Sequence, residues 1–72
     1  MDYSKKISEY IKRKRKEKGM SQLQLAIDSG VPVLYVGRLE LQKVMHPSIM
    51  HVFAIAKTFD SNLKDLFEEI ES

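Results

Sequence analysis

The sequence predicts an all-α fold of five short helices, and three observations lead there. Apolar residues recur at helical spacing in five separate segments. Two prolines and three glycines punctuate the 72-residue chain at intervals too short for long helices. No segment alternates apolar and polar residues over more than a few positions, so strands are not expected.

The first helix is expected over about residues 4–18, with Ile7 and Ile11 one turn apart on a common face. Gly19 closes it as a C-cap glycine, after a basic last turn that suits the negative end of the helix dipole. The second runs over residues 22–29. Ser21 is its N-cap, Gln24 completes a capping box, and Met20 with Leu25 is placed as a hydrophobic staple. The third begins near Pro32, whose fixed φ suits a first helical position, and ends near Leu41. The connection after it contains no glycine. Pro47 is expected to open the fourth helix, with Ile49, Val52, Ala56 and Phe59 as its inward stripe. Asn62 caps the fifth, which carries Leu63, Leu66, Phe67 and Ile70 on one face. Leu63 and Leu66 are expected inside; Phe67 and Ile70 are candidates for an isologous dimer contact. Tyr3 and Tyr10 are expected at the surface or dimer rim.

The most informative stretch is residues 21–40, read as two helices and a tight turn that can lay the second helix in a DNA major groove. Gly30 stands where the turn needs positive φ. Ala26, four residues earlier, lets the two axes approach, while Leu25, Val31, Val36 and Leu39 can fill the space between them.

Composition narrows the function classes. The absence of cysteine removes disulfides and thiolate metal cages, and fits a cytoplasmic protein. No apolar run approaches the ~20 residues of a membrane span, and the N-terminus lacks the apolar block of a signal peptide. One domain over residues 1–72 is expected. The net charge of +2 conceals a gradient: residues 1–18 carry +5, residues 19–57 carry +1, and residues 58–72 carry −4. A polyanion would be drawn to the first two thirds and repelled by the end of the chain. The run from Lys12 to Lys18 reads either as a solvated helix face or as a phosphate-attracting surface. His46 and His51 lack companions at metal-ligand spacing. Ser21, Ser29 and Ser48 have no evident base, and no glycine-rich loop could cradle a nucleotide. Neither an enzyme nor a cofactor or small-molecule ligand is expected.

Arg15, Ser21-Gln22, Leu25-Ala26, Gly30-Val31, Tyr35-Val36, Arg38, Leu39-Glu40, Pro47-Ser48, Ile55-Ala56-Lys57, Leu63 and Leu66-Phe67 together resemble the lambda-repressor-like, Cro-type (XRE) helix-turn-helix family. The resemblance implies a compact five-helix domain in which helices two and three form the helix-turn-helix. It implies double-stranded DNA as partner, bound by homodimers. By family position, Val33, Leu34 and Arg38 would face base edges. Arg38 could pair bidentately with guanine, while Val33 and Leu34 could pack only on thymine methyls. Ser21, Gln22, Pro32, Tyr35, Lys43, His46 and Ser48 would follow the phosphate backbone. Arg15 and Glu40 match a family pair that forms an internal salt bridge between the first and third helices.

Five positions depart from the family pattern. Pro32, Val33 and Leu34 stand where polar residues are common, Gly37 weakens the third helix by about 1 kcal/mol relative to alanine, and Gln42 replaces a helix-ending glycine, which predicts an unusual path for the following loop. The function expected is a transcription regulator, a repressor or small controller, reading a palindromic operator as a homodimer. The alternative is a protein–protein module of anti-repressor or antitoxin type that uses the apolar face of the third helix.

Overall fold

The computed structural model describes residues 3–61 and 63–71. Its helices are α1 (Tyr3–Glu17), α2 (Gln22–Ser29), α3 (Val33–Glu40), α4 (Ile49–Thr58) and α5 (Leu63–Glu71), with no strand among the described residues. None of these helices is long and apolar enough to cross a membrane. Asn62 and the side chain of Leu63, expected as cap and core, lie outside what is described.

Periodic apolar residues build one core. Ile11, Leu25, Val36, Val52, Ile55 and Leu66, contributed by all five helices, have essentially no exposed surface. Burying each such side chain stabilises the fold by about 1.5–3 kcal/mol before chain entropy is subtracted. Through this core α2 packs on α3 and α4, α1 packs on α3 and α5, and α4 touches α5.

The helix ends follow local chemistry. Ser21 has extended backbone and its hydroxyl oxygen accepts the Gln24 N–H at 3.0 Å. The reciprocal half of the expected capping box is absent, because the Gln24 amide donates to Asp28 instead. After α1, α3 and α4 the chain turns through one shared geometry. The N–H groups of Met20, Lys43 and Ser61 each reach back five residues to the carbonyls of Arg15, Arg38 and Ala56. The left-handed residue in these turns is Gly19, Gln42 and Asp60 respectively. The loop after α3 therefore takes an ordinary helix-ending path, contrary to the sequence expectation. Gln42 adopts φ 59° without being glycine, at a cost of about 1–2 kcal/mol.

Four further expectations are corrected. Ser48, not Pro47, is the N-cap of α4. Ile49 is exposed, since the first turn of α4 extends past the packed core. Tyr10 is buried, its ring meeting Phe59 edge-on at 6.1 Å, and so is no surface tyrosine. Ile70 belongs to the core: four residues after Leu66, it lies on the same inward stripe. Phe67, rotated by one residue, remains 48% exposed.

Two serines on α1 fix where α3 ends. The buried Ser8 hydroxyl donates to the Glu40 carbonyl at 3.0 Å, supplying a partner for one of the orphan carbonyls at a helix C-terminus. Ser4 donates to the Val44 carbonyl at 2.7 Å, tying down the loop that follows.

Candidate nucleic-acid interface

The turn between α2 and α3 rests on Gly30, whose φ of 75° is strained for any residue with a Cβ. Its N–H donates to the Ala26 carbonyl at 2.9 Å. Val31 then drops into the core and Pro32 caps α3 with φ −56° and ψ 137°. With Val36, Leu39 and Glu40 turned inward, the opposite face of α3 is left to solvent. That face carries Leu34, 74% exposed, together with Val33 and Arg38. The three residues expected to read bases are thus brought together on one outward surface.

Behind them, α3 is held by a polar clamp. Arg15 on α1 grips Glu40 through two parallel bonds, Nε to Oε2 at 2.6 Å and Nη2 to Oε1 at 2.9 Å. Its remaining Nη1 donates to the Met20 carbonyl at 2.7 Å. Gln22 on α2 donates a third bond to Glu40 Oε1 at 3.1 Å, so one carboxylate joins three helices. The two charged side chains are 13% and 3% exposed. Burial pushes the Glu40 carboxyl upward, but the bonds from Arg15 and Gln22 outweigh it and hold the carboxyl below its usual range. The bond to Glu40 likewise raises Arg15, against the effect of burial, and keeps it charged.

The expected phosphate contacts divide. Lys43 and His46 are exposed on the connection between α3 and α4. Ser21 is exposed beside the N-terminus of α2, where the Gln22 and Leu23 N–H groups precede the helix's own hydrogen-bond ladder. One N–H of the Gln22 side-chain amide is engaged with Glu40, and its backbone N–H lies in the first turn of α2. Pro32 has no N–H and offers a phosphate only ring contact. Tyr35 and Ser48 serve each other: the Ser48 N–H donates to the Tyr35 hydroxyl at 2.8 Å, and the Tyr35 ring lies 4.5 Å from that of His51. This pair fixes the start of α4 against α3. The Ser48 hydroxyl makes no capping bond.

The basic run on α1 is partly engaged inside the molecule. Arg13 pairs with Glu69 of α5 and with Glu17, and Lys18 lies 3.8 Å from Asp60. Exposed pairs of this kind contribute little stability. They do join the basic first helix to the acidic end of the chain. Arg38 and Lys43, by contrast, have no acidic group within 4.0 Å among the described residues.

Sequence reasoning missed the outer face of α2, where Leu23 and Ile27 are both exposed one turn apart. The signal was present, since apolar residues occupy both sides of that helix. It also missed Ser4, Ser8 and the Gln22 bond, which have no sequence pattern.

The model of a helix-turn-helix family matches residues 11–66 of the chain. Over 62 residues the chain is 34% identical to the HTH-type transcriptional regulator SlrR of Bacillus subtilis (strain 168), covering 86% of this chain and 41% of that protein. The chain therefore spans less than half the length of this relative. No solved structure matches at comparable stringency.

Proposed function

The chain belongs to the helix-turn-helix family, and from that premise we propose that it is a DNA-binding transcription regulator that inserts α3 into the major groove. The observation that carries this reading is the outward cluster of Val33, Leu34 and Arg38 on a helix clamped from behind by Arg15 and Glu40. Such a helix meets base edges without losing further order on binding. Arg38 pairs with guanine O6 and N7, a contact worth about 1–3 kcal/mol of discrimination. Lys43, His46 and the first turn of α2 follow the phosphates, so affinity falls steeply with salt. No catalytic step is involved, and the protein acts in the cytoplasm on its own DNA.

In this reading two copies bind a palindromic operator, their α3 helices about one DNA turn, ~34 Å, apart. The pairing surface is the shallow apolar groove between α1 and α5, lined by Tyr3, Ile7 and Phe67 with the edge of Ile70. Exposed Leu23 and Ile27 on α2, with the apolar Val33 and Leu34 on α3, favour a second reading, a protein-docking module that uses the apolar face of α3.

Binding selection from a random duplex pool decides between them. A consensus should emerge for the native chain and lose its preference at one base position in Arg38→Ala. Lys43→Ala should weaken all sequences alike and lower the salt slope by about one unit. Failure to enrich any duplex at low salt would leave the protein-docking reading standing.

A further inference from the structure

The outward face of α3 is poor in hydrogen-bonding groups. Val33 and Leu34 are 41% and 74% exposed, and Leu41 follows at the helix end, also exposed. Gly37, three residues after Leu34, presents no side chain at all. A Cβ built there would meet only Gln22 Oε1, at an ordinary 3.6 Å, so packing does not require glycine at this position. Its absence of side chain leaves a shallow gap on the face shared with Val33, Leu34 and Leu41. Among Val33, Leu34, Gly37, Arg38 and Leu41, Arg38 alone has polar side-chain donors.

A major groove offers lone pairs, amino groups and a single apolar group, the C5-methyl of thymine. Val33 and Leu34 gain nothing from the first two and lose by desolvating them. Arg38 and Lys43, without acidic partners within 4.0 Å, make the border of this apolar centre cationic, which suits a polyanion. RNA fits poorly, since uracil has no C5-methyl and the A-form major groove is closed to side chains.

We propose that Val33 and Leu34 select pyrimidines by their C5-methyl group, so that this chain distinguishes 5-methylcytosine from cytosine as it distinguishes thymine from uracil. The inference rests on the proposed insertion of α3 into DNA. Methylation of cytosine at C5 places the same apolar group on the same groove edge. The duplex then becomes a tighter ligand wherever that pyrimidine lies against Leu34. Cytosine methylation is thereby a state of the DNA to which the regulator responds.

The test uses the 72-residue chain and a duplex recovered by binding selection, resynthesised with thymine or deoxyuridine and with cytosine or 5-methylcytosine. Affinities are read by fluorescence anisotropy at one salt concentration. Removing a contacted thymine methyl should weaken binding about three- to fivefold, and methylating a contacted cytosine should strengthen it by a similar factor. Leu34→Ala, at a surface position that leaves the core intact, should narrow the difference between the thymine and deoxyuridine duplexes, and the double variant Val33→Ser with Leu34→Ser should remove it. Tight, salt-dependent binding that is the same for all four duplexes would overturn methyl selection while leaving duplex binding in place. A chain that binds none of the four duplexes at low salt would overturn the insertion of α3 as well.

Discussion

Replacing Glu40 with alanine should be among the most damaging single changes in this chain. The substitution removes a carboxylate that accepts two bonds from Arg15 and one from Gln22, and it leaves the Arg15 guanidinium 13% exposed without its counter-ion. Breaking a buried pair from one side costs about 3–5 kcal/mol. A 72-residue domain has a total stability of about 4–11 kcal/mol. Glu40→Ala should therefore lower Tm by at least about 12 °C, at the usual 4–8 °C per kcal/mol for this size. Circular dichroism during thermal and urea unfolding measures both quantities. The double variant Arg15→Met with Glu40→Leu removes both charges and should recover more than half of the loss. It stays below the native chain, because the Met20 carbonyl and the Gln22 amide lose partners. A loss below about 1 kcal/mol for Glu40→Ala, or a double variant no better than the single one, would mean that no desolvated charge is at stake.

The same pair sets an acid limit. Because the folded-state Glu40 carboxyl titrates below its ordinary 4.5, its contribution is complete above that value and is lost as pH falls through the lowered one. Urea midpoints measured from pH 7 down to 3 should show this loss in the native chain and less of it in Glu40→Gln. At the end of α3, Gln42→Gly should raise stability by about 1 kcal/mol, since the left-handed φ of 59° is free for glycine. An unchanged or lowered urea midpoint would mean that the Gln42 side chain contributes more than its backbone strain costs. Gly37→Ala should add about 1 kcal/mol of helix stability, which thermal unfolding reads directly.

Local signals in the sequence were sufficient for the five helices and for the turn that aims α3. Ser21, Gly30 and Ala26 act through their immediate neighbours, so residue type and spacing carry their meaning. Leu25, Val31, Val36 and Leu39 meet at the spacing that two packed helices require. Arg15 and Glu40 are 25 positions apart, and family likeness rather than local pattern linked them. Three kinds of feature escaped. The rotation of α5 could not be set closely enough to tell Ile70 from Phe67, because a stripe of four apolar residues covers a wider arc than the core accepts. Tyr10 lies beside Ile11 but on a face that only α5 and Phe59 make an interior. The bonds donated by Ser4 and Ser8, and the one that Tyr35 accepts from Ser48, join a side chain to distant backbone, and such contacts have no period to read. Gln42 illustrates the limit in another way: glycine is missing from this position, yet the helix ends in the ordinary geometry and tolerates the strain.

The function proposed for this chain requires that the Val33–Leu34–Arg38 face of α3 meet the duplex. Titrating the 15N-labelled chain with a selected duplex and following each backbone amide tests this most directly. The largest shifts should fall on the amides of residues 33–43 and of the first turn of α2, while those of the groove between α1 and α5 follow only if two copies pair. Shifts confined to α1 and α5, with α3 unmoved at saturation, would contradict it.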